Sequence, residues 1–574
     1  MTSCRAKRRP ARSRRVAAGL IAAMSLVAAD ARAQAPLSTY DPETMELAEP
    51  VDPSREARVD VKELKAFNAE SIGALDQAHG GFAQTLWAGT PAVVARKLIP
   101  LLPDASPSQV VRGLERRLLL TAATAPDGAV EGERPSLVEL RAERLSAMGD
   151  SDGVVQLAAA APQSVAGPVV ARSKVEAQLL NGNLAGACAD APKDGSQPKL
   201  AVLCNFVAGK TLEGNLGLDL LHERKEADKG FVAAAEVLSG LPAPAADKIK
   251  LDEVTPLHVA AFAAAKLPLP ADAVSKATPA VARSVALSFA TPFDVRLAAG
   301  ERAEAAGVLP AEALRKLYLE ASFPPDELGA PLAKADSAGP RARALLFRAA
   351  TDQPDPLIRA HFIAKALEMA EAKGQVGSTA RVFAGLLADL RPDPALVTVA
   401  PAFARANLAL GRADAGKWLE LAKGDPAAAG AVTRLWPLTA VLSASPGQPV
   451  GTSGLAAWRA TQEGLPPELA ARRAAIVLGS LAALGAKIPD AAWLDTLAVP
   501  AGGPRPGLFA LLQGSALDAR LGTTLLAALA AIGDQPLDKL DAITLSETIS
   551  ALSVVGLGDD ARKLAIEALL ANGV

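Results

Sequence analysis

Aromatic residues make up only 3% of this 574-residue sequence, although hydrophobic residues make up 50% of it. Alanine and leucine therefore supply most of the apolar content. Both rank high on the scale of helix propensity, whereas β-sheets favour β-branched and aromatic residues. The scarcity of aromatic rings also argues against a sugar-stacking cleft, and so against a cell-wall-cleaving enzyme. We expect the five tryptophans to serve helix packing.

Histidine is scarcer than the aromatic residues. The four histidines, His79, His222, His258 and His361, are far apart and show no metal-binding spacing. Each is therefore interpreted as a helix-surface or packing residue, and no metal site is predicted. Residues 149–153 match the Gly-x-Ser-x-Gly pattern of a hydrolase nucleophile, but that pattern requires a preceding strand, and a helix is predicted there. The sequence predicts no catalytic residue.

A second motif resembles a dinucleotide-binding loop, at residues 556–561 (Gly-Leu-Gly-Asp-Asp-Ala). A helix is again predicted before it, where the dinucleotide loop requires a strand. Asp559 and Asp560 would also stand at the helix N-terminus, where a pyrophosphate has to bind. Carboxylates at that position instead favour the positive end of the helix dipole. No bound cofactor is predicted.

Long hydrophobic runs are absent except at the N-terminus. A basic stretch is followed by an apolar run from 16 to 29 and then by Ala31-Arg32-Ala33 before Gln34, which is typical of a secretory signal peptide. The apolar run is shorter than the ~20 residues of a membrane-spanning helix. We therefore predict a signal peptide at 1–33, cleaved after Ala33, and a periplasmic protein. The uncharged stretch 436–458 contains Pro, Gly and Ser and is predicted to be a loop, so no membrane span is predicted after cleavage.

Charge excludes one class of partner. Removing residues 1–33 removes eight Lys and Arg residues and one Asp, which changes the net charge from −2 to −9. Nucleic-acid binding depends on phosphate neutralisation by Lys and Arg. No nucleic-acid partner is therefore predicted. The short basic clusters at 116–117, 341–343 and 472–473 are interpreted as solvated helix faces.

Only Cys188 and Cys204 remain after cleavage. They fall in neighbouring helical segments, predicted at 175–189 and 199–207, which are separated by a loop rich in Pro and Gly. We predict a disulfide between Cys188 and Cys204, since exported proteins reach an oxidising compartment. Two separate buried thiols are the alternative, and a zinc site would lack further ligands.

The chain divides into segments by composition. After the signal peptide, residues 34–60 are rich in Pro and acidic residues and are predicted to be a linker. Helical stripes with apolar spacings of three and four fill 61–442 and 455–574. The first of these contains Ser106-Pro107, predicted to cap a helix. Residues 443–454 are predicted to be the linker between two helical-repeat segments.

Several predicted turns share one spacing, in which a small residue follows a glycine by five positions. The pairs are Gly182 with Ala187, Gly209 with Gly214, Gly411 with Gly416, and Gly556 with Ala561. This pattern resembles the TPR family over about 135–225, 360–425 and 545–574, and it resembles exported alanine-rich helical-repeat proteins of bacteria. The resemblance implies an all-α, TPR-like helical-hairpin α-solenoid that binds a protein or peptide. It assigns no functional residue.

Two functions are consistent with these features. The first is a non-catalytic exported scaffold or adaptor that binds an envelope protein or peptide. The alternative is an envelope enzyme or enzyme accessory, for example in cell-wall processing, whose acidic residues converge only in space. A deep pocket holding two carboxylates, or a carboxylate and a histidine, would favour the enzyme. A shallow groove would favour the adaptor.

Overall fold

Regular secondary structure in this protein is helical. The computed structural model describes residues 70–245, 248–499, 502–503 and 505–574. Within these ranges there are thirty α-helices, several short 3-10 helices and three isolated β-bridges, but no β-strand. The predicted all-α fold is confirmed. The predicted signal peptide and the 34–60 linker lie outside the described residues.

The helices follow one another along the chain with short connections. The first fifteen are α1 (Ala92–Leu98), α2 (Gln109–Leu120), α3 (Leu137–Ala147), α4 (Ser151–Ala160), α5 (Gln163–Leu180), α6 (Leu184–Asp190), α7 (Pro198–Val207), α8 (Thr211–Glu223), α9 (Lys229–Leu238), α10 (Pro256–Ala265), α11 (Ala271–Lys276), α12 (Pro279–Leu287), α13 (Phe293–Ala305), α14 (Ala311–Glu320) and α15 (Pro325–Gly329). The remaining fifteen are α16 (Pro331–Ala335), α17 (Ala342–Asp352), α18 (Pro356–Ala372), α19 (Val376–Val382), α20 (Ala384–Asp389), α21 (Ala400–Ala409), α22 (Ala415–Ala422), α23 (Ala429–Arg434), α24 (Trp436–Ser443), α25 (Thr452–Ala460), α26 (Pro467–Ala483), α27 (Pro506–Leu517), α28 (Leu521–Ile532), α29 (Ala542–Val554) and α30 (Gly558–Ala571).

Consecutive helices pack in pairs, including α4 with α5, α7 with α8, α12 with α13, α17 with α18, and α21 with α22. The glycines predicted at the turns lie two residues after a helix end and have positive φ angles, for example 71° at Gly182 and 86° at Gly556. This left-handed conformation strains other residues, so glycine is favoured there. The result is the helical-hairpin solenoid that the sequence predicts.

Helix α2 begins later than the sequence predicts. The expected N-cap was Ser106, with Pro107 in the first turn. Instead Ser108 is the N-cap, and its hydroxyl accepts a hydrogen bond from the Val111 N–H at 3.2 Å. The apolar stripe of α2 was placed correctly, because Val111 and Leu114 are buried.

The two cysteines of the predicted pair lie on neighbouring helices. Cys188 belongs to α6 and Cys204 to α7, and their Sγ atoms are 1.96 Å apart, at disulfide distance. The segment predicted at 175–189 is in fact divided between α5 and α6, because Gly182 turns the chain and Asn183 caps the next helix. The pairing is unaffected by this break.

Helices near the start of the described chain pack against helices near its end, so the helical array closes on itself. Helices α1 and α2 contact α28, and α2 also contacts α30. Across this seam the Gly522 N–H donates to the Leu86 carbonyl at 3.0 Å, and Arg117 pairs with Asp560 at 2.9 Å. A Cβ atom at Gly522 would lie 2.6 Å from the Trp87 ring. Glycine therefore permits the close approach of α28 to the start of the array.

One continuous apolar core extends through the array. The described residues from Glu70 to Val574 belong to one compact unit. Trp87, Trp418 and Trp458 are buried in the core, as expected for helix packing. None of the described helices is long and apolar enough to cross a bilayer. The linker predicted at 443–454 stays a prediction, and α24 before it contacts α26 after it.

Candidate binding groove

A groove of about 1130 Å³ crosses several helices in the second half of the chain. We call it the alanine groove. Its lining residues are Leu332, His361, Ala364, Lys365, Glu368, Glu371, Thr398, Val399, Pro401, Ala402, Arg405, Asp425, Ala427, Ala428, Ala431, Arg434, Leu435, Trp458, Thr461, Gln462, Leu465, Arg473, Gly573 and Val574. Helices α18, α21, α23, α25 and α26 supply half of these residues, and the segments between helices supply most of the others.

Three of these helices contribute similar residues to the groove. Ala364 of α18, Ala402 of α21 and Ala431 of α23 line it, and each presents only a methyl group. Arg405 follows Ala402 by three positions, and Arg434 follows Ala431 by three positions. Residues three apart on a helix share one face, so each helix places a small residue and a charge on the same side. The small alanine side chains therefore leave open space between the charged side chains of the groove.

The carboxylates of the groove are held by residues of the same fold. Glu371 forms an ion pair with Arg405, and Glu368 lies 3.5 Å from Lys365. Asp425 caps the short 3-10 helix that follows it, with a hydrogen bond of 2.9 Å to a backbone N–H. Both glutamates are largely exposed to solvent. Exposed and paired carboxylates are poor candidates for a general acid or base.

Two arginines of the groove, in contrast, have no carboxylate side chain as a partner among the described residues. Arg434 is exposed. Arg473 donates from Nε to the Asn572 carbonyl at 2.9 Å and from Nη1 to Gln462 Oε1 at 3.1 Å, and both acceptors are neutral. Burial lowers the pKa of Arg473, and the positive charge of Arg405 lowers it further. Two cations of the groove, Arg434 and Arg473, thus lie outside ion pairs with the described side chains, against one such carboxylate, Asp425.

Trp458 adds an unusual donor to the same groove. Only 1% of this residue is exposed, and its ring lies 6.4 Å from that of Trp436. The indole Nε1 atom is buried and finds no hydrogen-bond partner in the described part of the chain. A buried N–H without an acceptor costs about 1–3 kcal/mol. A ligand that brought an acceptor to it would recover part of this free energy.

The residues that sequence motifs single out lie elsewhere. Residues 149–153 follow α3 and begin α4, where Asp150 caps the helix at 2.9 Å. Ser151 donates to Asn181 Oδ1 at 2.7 Å and accepts from Arg283 at 3.0 Å. No histidine lines the adjoining pocket of about 410 Å³. The serine serves a helix terminus, and a helix precedes the motif as predicted.

The second motif also begins a helix. Asp559 and Asp560 lie in the first turn of α30, after α29 and the turn at Gly556. Asp560 pairs with Arg117 of α2 at 2.9 Å. The acidic residues at this helix N-terminus were predicted correctly, and one of them also joins the two ends of the array.

The histidines remain separate in space as in sequence. His258 is buried and completes a capping box with Thr255, while its Nε2 atom lies 2.9 Å from Asp228. His79 contacts Asp76, and His361 lines the alanine groove. The described residues contain no cluster of three or more His, Cys, Asp or Glu side chains suited to a metal ion.

The interpretation of the basic clusters as solvated helix faces was wrong. Arg343 is buried and bonds Ser378 and Thr379 at 3.1 Å. Arg472 donates to the Leu540 carbonyl at 2.8 Å, and its neighbour Arg473 lines the groove. The apolar residues around each cluster belong to packed helices, whose carbonyls and side chains serve as acceptors. A local sequence window does not include these distant partners.

Sequence reasoning also missed the groove residues themselves. The pattern Ala-x-x-Arg occurs at 402–405, 431–434 and 470–473, and these three arginines line the groove. The same pattern also occurs at 280–283, 299–302 and 338–341, whose arginines do not line it. The pattern alone therefore does not identify the groove.

Comparison with known proteins adds no assignment. No protein-family model matches the chain, and neither curated proteins nor solved structures give a significant match.

Proposed function

We propose that this protein is a non-catalytic, exported helical-repeat scaffold or adaptor that binds a protein or peptide partner of the cell envelope in the alanine groove. The observation that carries the proposal is a groove in which Glu368 and Glu371 form ion pairs within the fold and Asp425 caps a 3-10 helix. Arg434 and Arg473, in contrast, have no carboxylate side-chain partner among the described residues. Concave surfaces of stacked helical repeats are a common site of peptide binding. The glycine turns with a buried small residue support a TPR-like relationship.

Export is the second part of the proposal. It rests on the signal-like sequence at 1–33 and is supported by the pairing of Cys188 with Cys204 at disulfide distance. N-terminal sequencing of protein purified from the periplasm should give Gln34 as the first residue. A mature chain that begins at Met1 would contradict export by this signal.

Site-specific photo-crosslinking in living cells tests binding in the groove. A photoreactive amino acid replaces Glu368 or Ala427, two exposed residues that line the groove. The matched control replaces Glu131, an exposed glutamate outside it. We expect both groove positions, but not the control, to give the same discrete crosslinked protein or peptide, which mass spectrometry identifies. Equal crosslinking at all three positions, or none in the groove, would refute the proposal.

A further inference from the structure

We infer that the alanine groove binds an acidic segment of its partner, whose carboxylates pair with Arg434 and Arg473. This inference rests on the proposed binding function and names the chemistry of the ligand. It follows from which charges of the groove are already paired and which are not.

The pairing is asymmetric. Glu371 pairs with Arg405, and Glu368 pairs with Lys365, which also contacts Asp336. The third carboxylate of the groove, Asp425, accepts a hydrogen bond from the Ala427 N–H. Arg434 and Arg473 contact no carboxylate side chain among the described residues. An arriving carboxylate would therefore gain charge-assisted hydrogen bonds without breaking an existing ion pair. An arriving cation would have to compete with Arg405 and Lys365 for the two glutamates, and it would find one carboxylate outside an ion pair, Asp425, against two such arginines.

The fold holds Arg473 in place for such a contact. Its Nε–H and Nη1–H groups are bonded to Asn572 and Gln462, which restricts the guanidinium. The Nη2 atom lies over Gly573, where a Cβ atom would be only 2.6 Å away. Gly573 also has a φ of 71°, which other residues rarely adopt. A guanidinium fixed in this way loses less rotamer entropy when it binds a carboxylate.

The size of the groove favours a chain segment over a small anion. Pockets for small molecules are typically about 300–1,000 Å³. The alanine groove, at about 1130 Å³, exceeds this range, and its polar groups are spread over several helices. The methyl groups of Ala402 and Ala431 leave space between the arginines for the backbone of a peptide.

Charge reversal at Arg434 tests the inference on the native partner. Arg434 is exposed, so Arg434→Glu should leave the fold intact, and Arg224→Glu at the end of α8 is a matched exposed control. We expect Arg434→Glu to reduce the yield of the crosslink from Ala427 by about tenfold, which corresponds to about 1.4 kcal/mol. Arg224→Glu should leave the yield unchanged. Crosslinks that persist at full yield in Arg434→Glu would overturn the acidic-ligand inference and leave the adaptor proposal standing.

A defined probe gives the same test in vitro. A short fluorescent peptide of alternating Ala and Glu is compared with one of alternating Ala and Lys by anisotropy, using the full mature chain. We expect tighter binding of the acidic peptide, weakening with salt, and a reversed preference in Arg434→Glu. No preference for the acidic peptide would overturn the inference. Loss of all crosslinks at Glu368 and Ala427 in the wild-type protein would instead overturn the proposed function.

Discussion

Charged side chains in the interior of this protein and those in the alanine groove differ in where their charge is satisfied. Arg141 of α3 is buried and donates to the carbonyls of Ile72, Leu119 and Thr121. Arg434 of the groove is exposed and has no ion pair within the described residues. Interior charges thus join helices, whereas Arg434 of the groove keeps a charge outside any ion pair with the described residues. Under the proposed function, the position of a charge, and not its abundance, separates structural from binding residues.

A second interior cluster shows the same rule. The Tyr318 hydroxyl donates to Glu301 at 2.7 Å and accepts from Arg343 at 2.6 Å, which joins α13, α14 and α17. Burial raises the pKa of Tyr318 well above its usual value. Nearby, Glu304 accepts from Arg381 of α19 at 3.0 Å. Each charged side chain of this cluster forms a hydrogen bond or an ion pair with another side chain of the fold, so none of them is free to pair with a ligand.

The largest expected effect follows from removing an interior cation. Arg141→Met would remove the donors from three buried carbonyls, each worth about 1–3 kcal/mol when left without a partner. We expect a loss of about 5 kcal/mol in the free energy of unfolding, measured by urea denaturation. Arg224→Met, at an exposed arginine, should change it by less than about 0.5 kcal/mol. Equal effects of the two variants would contradict the distinction between interior and exposed charges.

The next effect is a pH dependence of stability. Burial raises the pKa of Glu115 from 4.5 to about 8, against the lowering effect of Arg144 and Arg112. Because the pKa of Glu115 is higher in the folded chain than in the unfolded chain, ionisation of Glu115 lowers the free energy of unfolding. That free energy is highest below pH 4.5, where Glu115 is protonated in both states, and it falls as the pH rises through 8. We expect Glu115→Gln to remove this loss and to gain about 4 kcal/mol over the wild type at pH 8.

Urea denaturation of both proteins from pH 5 to pH 9 measures that dependence. Glu131→Gln, at an exposed glutamate, is the control and should follow the wild type throughout. Parallel pH curves for wild type and Glu115→Gln would show that Glu115 ionises normally in the fold.

Removal of the disulfide is expected to lower the free energy of unfolding by a smaller amount. The disulfide belongs neither to the charged interior nor to the groove. Cys188 and Cys204 are 16 residues apart in sequence, so their bond should stabilise the fold by about 3 kcal/mol. The double variant Cys188→Ala with Cys204→Ala should lose this stability but retain binding of the acidic peptide. Loss of binding in a variant that is still folded would connect the α6–α7 pair to the groove.

The smallest effect on stability is expected in the groove itself. Arg434→Glu should change the free energy of unfolding by less than about 0.5 kcal/mol, because the side chain is exposed. Circular dichroism during urea titration measures this, alongside the peptide anisotropy. If the variant lost both stability and peptide binding, Arg434 would be a residue that stabilises the fold, like the interior charges, and not a binding residue.

The hairpins could be predicted from the sequence because their signals are local. Turn glycines have positive φ where expected, and Ala187, Gly214 and Ala561 are buried. Gly416 is exposed, however, because the neighbouring Ala415 at the start of α22 occupies the buried position. Spacing after the glycine therefore predicts approximate burial, but the register of the second helix decides which residue is buried.

Position five after a turn glycine is also buried when it is not small. Val154 follows Gly149 and Thr379 follows Gly374, and both side chains are buried despite departing from the TPR pattern. A residue larger than alanine is thus accommodated between the two helices. This explains why a search for small residues alone finds only some of the hairpins.

The closure of the array and the groove could not be predicted, because both depend on residues far apart in sequence. Arg117 pairs with Asp560, and Ser108 bonds Glu567 of α30. The groove likewise brings α18 together with α26 and residues 573–574. Each contact requires the path of the whole array, which periodicity and turn signals do not specify.

Hydrogen exchange of the mature protein, with and without the alternating Ala and Glu peptide, tests the central claim that the alanine groove is the binding surface. We predict slower exchange at 425–434 and 461–465, the short elements that line the groove, and unchanged exchange at 149–153. Slower exchange at 149–153 with none in the groove would contradict the claim and assign binding to the polar pocket beside α4.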